Sequence, residues 1–258
     1  GNANAHTGHK GIKIINSYVN FLSKILNCKK TEILVSSTGV IGQLFDPNLI
    51  INQLPRVFKD YPDTLVDAAK AIMTTDTYPK TSVKNVNINN TNFRIFGIAK
   101  GSGMIHPNMG TMLAYIFIEA NLSKSLLKKL LHNNLESTFN AISVDGDTST
   151  SDTLIMFSLN NIKIDFNLKK NFRILNQAIF ELMNDLSMKI IKDGEGISKL
   201  IKVNILKCHS NRQAKTIAFS ILNSPLVKTA ISGEDANWGR IIAAIGKTGE
   251  KIDQNKVK

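Results

Sequence analysis

Residues 98–114 read Ile-Ala-Lys-Gly-Ser-Gly-Met-Ile-His-Pro-Asn-Met-Gly-Thr-Met-Leu-Ala, and this stretch organises the rest of the chain. Its first part is rich in glycine and contains Pro107, which is typical of an irregular connection. Residues 111–118 then read Thr-Met-Leu-Ala-Tyr-Ile-Phe-Ile, and their length and their β-branched and aromatic content predict a buried strand. Thr111 therefore stands where a loop enters a strand.

A threonine at such a position has two interpretations. Its hydroxyl becomes a nucleophile when a nearby base removes the proton, and its own α-amine can be that base once the preceding peptide bond is cut. Gly110 leaves the bond to Thr111 free of Cβ hindrance. The spacing is also typical of a glycine-rich turn that feeds a core strand, so both interpretations remain open.

Hydrophobic periodicity predicts a chain of mixed helices and strands. Helical spacing is found over residues 11–27, 123–132, 172–192 and 212–222. Two further helices are predicted to begin near residues 47 and 63. Strand patterns are found over residues 32–37, 154–159 and 199–208, with a hairpin over 82–99. Residues 232–245 predict a capped helix start, with Trp238 as a core anchor.

Length and composition set broad limits. The 258 residues, 43% of them hydrophobic, can bury the core of one large domain or two small ones. No run of about 18 apolar residues is found, so we expect no membrane span. The first residues do not have the pattern of a signal peptide. The chain starts without methionine, and we expect it to be a fragment.

The net charge of +12 raises the question of nucleic-acid binding. The lysines are dispersed and no RNA-recognition, helix-turn-helix or zinc-finger pattern is found, which favours a solvated basic surface; weak attraction of anionic substrates is the alternative. Cys28 and Cys208 are isolated, which favours reduced thiols and the cytoplasm. The histidines lack metal-ligand spacing, and the acidic stretch 143–152 lacks the glutamate that closes an EF-hand, so we expect no metal.

A second strand-to-glycine transition lies at residues 37–42, Ser-Thr-Gly-Val-Ile-Gly. The Thr38 hydroxyl and the Gly39 backbone N–H can point at one position there, as an oxyanion hole requires. Turns of this composition are frequent, so the pattern alone is a weak signal.

Several segments, in one order along nearly the whole chain, resemble motifs of the ornithine acetyltransferase family, the bifunctional glutamate N-acetyltransferases of arginine biosynthesis. The matching segments are residues 2–8, 37–42, 73–77, 100–113, 144–150, 193–196 and 233–240. The chain departs from the family pattern at four positions, with His6 for cysteine, His106 for alanine or another small residue, Gly110 for alanine and Ala236 for proline.

The resemblance implies an α/β (α+β) fold of layered β-sheets with flanking helices, the N-terminal-nucleophile-like fold of the aminopeptidase and ornithine acetyltransferase type. It also implies self-cleavage between Gly110 and Thr111, which divides the chain into residues 1–110 and 111–258. The roles that it implies are Thr111 as nucleophile, Thr38 and Gly39 as oxyanion stabilisers, and Thr74, Lys100, Thr111 and Glu195 as substrate-binding residues.

The implied activity is transfer of an acetyl group from N2-acetyl-L-ornithine to L-glutamate through an acetyl-threonine. Some family members also use acetyl-CoA, and the family usually assembles from two copies of each fragment. We expect no cofactor, no nucleic acid and no membrane partner. The alternatives are a related N-terminal-nucleophile amidohydrolase or aminopeptidase, an inactive truncated homologue, and a non-enzymatic basic binding domain.

Overall fold

The computed structural model of the chain describes residues 1–59, 64–106 and 112–253. The helices in these ranges are α1 (Gly8–Ile25), α2 (Asn48–Ile51), α3 (Leu54–Lys59), α4 (Leu65–Ala71), α5 (Lys124–Leu135), α6 (Lys169–Lys192), α7 (Asn211–Leu222), α8 (Pro225–Ser232) and α9 (Trp238–Gly246). The strands are β1 (Lys80–Ile88), β2 (Thr91–Lys100), β3 (Leu113–Ala120) and β4 (Thr153–Ile162). None of the described helices is long and apolar enough to cross a membrane.

The four strands form one sheet in the order β1-β2-β3-β4. The first three are antiparallel neighbours, and β4 runs parallel to β3 after a crossover that contains α5. Asn89 and Asn90 form the β1–β2 turn with φ of 51° and 63°, which suits the left-handed backbone of a tight hairpin. The hairpin predicted over residues 82–99 is therefore confirmed.

Helix α6 covers one face of the sheet and packs against β1, β2 and α5. Its fully buried hydrophobic side chains recur every three or four residues: Leu175, Ile179, Leu182, Met183, Leu186 and Ile190. Alternate residues of β2 and β3 belong to the same cluster: Phe93, Ile95, Ile116 and Ile118. Burying a large aliphatic or aromatic side chain contributes about 1.5–3 kcal/mol, so this interface dominates the core.

Gly97 lets α6 approach the sheet closely. A Cβ at this position in β2 would lie 2.9 Å from the carbonyl oxygen of Tyr115 in β3. It would also lie 3.3 Å from a methyl carbon of Leu182 and of Leu186 in α6. The neighbouring backbone cannot move aside without disturbing the ladder between the two strands, so the strand requires glycine here.

A buried ion cluster joins elements that are distant along the chain. Lys80 begins β1 and is 0% exposed, and its Nζ lies 2.6 Å from Asp76 Oδ1 and 2.5 Å from Asp193 Oδ2. Asp193 ends α6, where it accepts hydrogen bonds from the N–H and the hydroxyl of Thr77. We call Asp76, Lys80 and Asp193 the ion cluster. It ties the start of β1 to the end of α6.

Asp76 extends this connection to the end of β2. Its carboxylate accepts the backbone N–H of Gly101 at 2.7 Å and that of Thr74 at 3.1 Å. Burial by itself raises the pKa of Asp76, but the hydrogen bonds from Gly101, Lys80 and Thr74 outweigh it, so the pKa is below its usual value. The pKa of Asp193 is lowered for the same reason, because bonds from Lys80 and Thr77 outweigh burial. Both groups are therefore carboxylates at neutral pH.

The α/β fold class with flanking helices is confirmed, but two predicted strands are wrong. Residues 32–37 and 199–208 form no strand ladder among the described residues. Residues 33–37 follow a short 3₁₀ turn, and the Ser36 hydroxyl hydrogen-bonds to the Tyr115 hydroxyl of β3. Alternation of apolar residues favours an extended backbone, whereas a strand also needs a neighbour whose backbone pairs with it.

Trp238 as a core anchor is also wrong, because its side chain is 74% exposed. It is the first residue of α9, and the buried residue of that helix is Ala244. Six residues correspond to a rotation of about 600° at 3.6 residues per turn, so the two side chains point in different directions. Asn237, at the N-cap position, makes no side-chain capping hydrogen bond.

We expect Gly97→Ala to lower the free energy of unfolding by about 1–3 kcal/mol, because the added methyl group overpacks the contact between the sheet and α6. Chemical denaturation measures the change. Gly246→Ala at the end of α9 is the matched control, because no described heavy atom lies within 4 Å of a Cβ there. Equal stability of the two variants would contradict the packing argument.

We expect Lys80→Met to lower the free energy of unfolding by about 3–5 kcal/mol, because it leaves two buried carboxylates without their cation. The control is Lys84→Met in the same strand, where the lysine faces Glu181 at 3.9 Å on the surface. Such an exposed pair contributes about 0–1 kcal/mol. Thermal unfolding of both variants separates these outcomes, and a small loss in Lys80→Met would contradict a structural role for the cluster.

Candidate functional site

The first residues of the chain lie alongside the Ser-Thr-Gly-Val-Ile-Gly motif. The Ala3 N–H donates to the Val40 carbonyl at 2.9 Å, and the Val40 N–H donates to the Gly1 carbonyl at 3.0 Å. The Gly42 N–H donates to the Ala5 carbonyl at 2.9 Å. Two motifs that are separated by about thirty residues in the sequence therefore form one unit.

Gly39 is required at this junction. Its φ is +126°, and a Cβ would lie 2.0 Å from the Gly1 carbonyl oxygen, a distance that no side chain tolerates. Thr38 is 7% exposed, and its hydroxyl is buried with no hydrogen-bond partner among the described residues. A buried hydroxyl without a partner is costly in a folded protein unless a bound group completes it. The Thr38 hydroxyl could therefore bond to a ligand, and its use towards an oxyanion stays a prediction.

Thr38 and Thr74, two predicted site residues, are close together. A Cβ added at Gly1 would lie 2.7 Å from the Thr38 carbonyl oxygen and 3.4 Å from Thr74 Cγ2. Gly1 therefore fills the narrow space between Thr38 and Thr74.

Lys100 joins this group from the end of β2. Its Nζ donates to the Thr74 hydroxyl at 2.6 Å and lies 3.8 Å from Asp76 Oδ2. The side chain is only 2% exposed. The pKa of Lys100 is below its usual value, mainly because the side chain is buried. The negative charges of Asp76 and Glu195 oppose this shift, and the positive charge of Lys80 adds to it. The ion cluster thus stands directly behind the predicted substrate-binding lysine.

Glu195 is held beside the same strand end. Its backbone N–H donates to the Ser102 carbonyl at 2.9 Å, and the Ser102 hydroxyl bonds to that of Thr75 at 2.6 Å. A Cβ at Gly103 would lie 2.6 Å from the Glu195 carboxyl group, so glycine is needed there. The structure therefore brings Glu195, a predicted substrate-binding residue, to the glycine-rich stretch.

A groove of about 300 Å³ adjoins Glu195. Its lining combines apolar side chains such as Val144, Ile197 and Leu200 with Lys228, whose ammonium donates to the Val144 carbonyl at 2.6 Å.

The predicted cleavage residues Gly110 and Thr111 lie outside the described residues, but both flanks of that segment are held by residues 143–152, which we call the acidic loop. On one side, Asp145 accepts the backbone N–H of Met104 and that of Ile105. On the other, Asp152 accepts the N–H of Met112 at 3.0 Å. These bonds from carboxylates to backbone N–H groups anchor the residues on both sides of the predicted cleavage site.

Sequence reasoning missed the ion cluster. Asp76 lies in the segment 73–77 and Asp193 begins the segment 193–196, but neither is among the predicted site residues. Lys80 carries no signal at all, because a lysine that opens a strand is ordinarily exposed. In the described ranges no group of three or more His, Cys, Asp or Glu side chains is arranged to hold a metal ion.

Comparisons with known proteins agree with this geometry. A family model described as ArgJ family matches residues 1–258. The chain is 42% identical over 259 residues to the arginine biosynthesis bifunctional protein ArgJ of Bartonella henselae, covering 99% of this chain and 63% of the relative. It is 42% identical over 261 residues to the protein of the same name from Gluconobacter oxydans, covering 100% and 62%. The chain thus spans just under two thirds of the length of these curated relatives.

A solved structure from the same set of named proteins also matches this chain. The crystal structure of the arginine biosynthesis bifunctional protein ArgJ from Bacillus halodurans is 37% identical and superposes with a TM-score of 0.50. The match covers 54% of this chain and 67% of that one. With a family match over its whole length and ordered motifs that the fold brings together, the chain belongs to the ArgJ family.

Proposed function

We propose that the full-length protein transfers an acetyl group from N2-acetyl-L-ornithine to L-glutamate, releasing L-ornithine and forming N-acetylglutamate for arginine biosynthesis. Thr111, freed by self-cleavage after Gly110, is the nucleophile of this proposal. The observation that carries it is the buried Lys100 ammonium, which donates to the hydroxyl of Thr74, while the backbone of Thr38 lies close to Thr74 across Gly1.

Lys100 is suited to bind a substrate carboxylate. An ammonium group has three N–H donors, and the hydrogen bond to Thr74 uses one of them. Asp76 lies 3.8 Å away, and its oxygens already accept bonds from Lys80 and from the backbone N–H groups of Gly101 and Thr74. The positive charge is therefore not consumed by a short ion pair, and donors remain for an anionic ligand.

Glu195 supplies the opposite charge. Its carboxyl group packs against Gly103, immediately beyond the strand end that carries Lys100. Both substrates are amino acids with charges of both signs, so a cation and an anion near each other can fix the orientation of a bound substrate. We propose that Lys100 and Thr74 contact a carboxylate and that Glu195 contacts an ammonium group.

The chemistry of the proposal has two acetyl-transfer steps. The Thr111 α-amine takes the hydroxyl proton as Oγ adds to the acetyl carbonyl, and Thr38 and Gly39 stabilise the oxyanion. The bond to the ornithine nitrogen then breaks, that nitrogen takes up the proton, and ornithine leaves an acetyl ester on Thr111. The glutamate amine attacks the ester, N-acetylglutamate leaves, and Oγ regains its proton.

Further parts of the proposal follow the resemblance. The assembly contains two copies of each fragment, the one that ends at Gly110 and the one that begins at Thr111, in their full-length form. The protein works in the cytoplasm and uses no cofactor. An acetyl-transfer assay with acetyl-CoA and glutamate tests whether acetyl-CoA also serves as a donor. A hydrolase with the same nucleophile would release the acetyl group to water, so a requirement for glutamate separates the two activities.

We expect Thr111→Ala to give an uncut chain with no acetyl transfer, because the change removes both the attacking oxygen and the product ester. Intact mass of the full-length protein detects the fragments, and ornithine release detects transfer. Thr216→Ala is the control, because that exposed hydroxyl donates to the Arg212 carbonyl within α7. A Thr111→Ala protein that is still cut after Gly110 would refute the nucleophile assignment.

We expect Lys100→Met to raise KM for both amino acids by about 10- to 100-fold, the equivalent of a lost charge-assisted hydrogen bond of about 1.5–3 kcal/mol. The value of kcat should fall less, since Lys100 is assigned to binding. Steady-state kinetics measure the split. Lys128→Met on the exposed face of α5 removes the same charge elsewhere and should leave KM unchanged. An unchanged KM in Lys100→Met would remove it from the binding site.

A further inference from the structure

The proposed self-cleavage needs a base that acetyl transfer does not need. In the mature enzyme the α-amine of Thr111 takes the hydroxyl proton. In the uncut chain that nitrogen is part of the peptide bond to Gly110, and an amide nitrogen is not a base at neutral pH. Residues 107–111, Pro-Asn-Met-Gly-Thr, contain no ionisable side chain. Another group must therefore remove the proton during maturation.

Asp152 is fixed one residue from the predicted nucleophile. Its Oδ1 accepts the Met112 N–H at 3.0 Å, and this nitrogen belongs to the peptide bond that directly follows Thr111. The adjacent Thr153 N–H donates to the Met112 carbonyl at 2.9 Å, so two bonds fix the acidic loop against the start of β3. The carboxyl group is held in place by backbone contacts instead of by a flexible salt bridge.

The second oxygen of the same carboxyl group is buried and has no hydrogen-bond partner among the described residues. Burial raises the pKa of Asp152 to about 6, although the bond from Met112 acts in the opposite direction. No charged side chain contributes to this shift in the part of the chain that the structure describes. A carboxyl group with a raised pKa and a free oxygen is typical of proton transfer.

His106 is the competing base, and its geometry argues against it. The Asn223 side-chain amide donates to His106 Nδ1 at 2.9 Å, so the lone pair of the neutral ring is already engaged. The ring also packs edge-on against Phe219, with 5.6 Å between centroids. Burial lowers its pKa, against the opposing charges of Asp145 and Asp147.

We propose that Asp152 is the general base and then the general acid of self-cleavage, a role that rests on the proposed function. The Asp152 carboxylate takes the Thr111 hydroxyl proton as Oγ adds to the Gly110 carbonyl carbon. The resulting carboxylic acid returns the proton to the Thr111 nitrogen as the C–N bond breaks. Gly110 is then an ester on Oγ, and water hydrolyses it, which frees the Gly110 carboxylate, the Thr111 hydroxyl and the α-amine.

The test follows cleavage of freshly synthesised full-length chain over time by denaturing gel and intact mass. Asp152→Asn keeps an oxygen that can accept from Met112 but removes the base, so cleavage should slow at least 100-fold, within the range for general-base catalysis of about 10²–10⁴. Asp145→Asn is the matched control, because Asp145 also anchors a flank of the segment. We expect that variant to slow cleavage less than tenfold.

A pH profile of the wild-type chain tests the same role without a substitution. Uncut chain is kept unfolded in urea, and cleavage begins when the urea is diluted at a chosen pH. The carboxylate is the active form, so the cleavage rate should rise about tenfold per pH unit below pH 6 and level off above it. A flat profile between pH 4.5 and 8 would overturn the proposal. So would wild-type cleavage by Asp152→Asn, or abolished cleavage in His106→Ala.

These experiments distinguish failure of the Asp152 role from failure of the proposed transferase function. If the wild-type chain is cut after Gly110 but transfers no acetyl group, the transferase proposal fails and Asp152 keeps its role. If the wild-type and Asp152→Asn chains are cut equally fast and both transfer acetyl groups, only the role of Asp152 fails.

Discussion

The buried ammonium of Lys80 is the interaction on which the site depends. It lies between two carboxylates, one in the turn that precedes β1 and one at the end of α6. Their hydrogen bonds hold the backbone of Thr74, Thr77 and Gly101. Removing ions from water is costly, so such a cluster persists only when geometry and extra hydrogen bonds are good. Here those extra bonds are to backbone at or beside Thr74 and Lys100, the side chains proposed to bind substrate.

Around this cluster the site is assembled from segments that touch only after folding. The first residues of the chain pair with residues 38–42. Gly1 lies between Thr38 and Thr74 in a space too narrow for a Cβ atom. The acidic loop holds both sides of the predicted cleavage segment through carboxylate bonds to backbone N–H groups. Backbone contacts of this kind fix positions more tightly than flexible side-chain pairs, which suits a reaction between neighbouring atoms.

Two of the departures from the family pattern, His6 and His106, are held by contacts with their neighbours. His6 adopts φ of 57°, and its ring lies 3.7 Å from a Cβ added at Gly42, so it packs beside residues 37–42. His106 is anchored by Asn223 and Phe219. The high positive charge is mostly spread over the surface, and the two lysines that matter to the site are buried among acidic groups.

The sequence by itself determined the family, the mixed α/β class, the hairpin at Asn89 and Asn90, and the long amphipathic α6, because motifs and short-range periodicity depend on residues near each other in the chain. Only the tertiary structure decided that Lys80 is buried, that Trp238 is exposed, and that residues 32–37 have no ladder partner among the described strands. Lys80 and Asp193 are 113 positions apart, so no local pattern encodes their contact. Burial of a charge is decided by which distant groups arrive to compensate it, and that is fixed by the packing of α6 on the sheet.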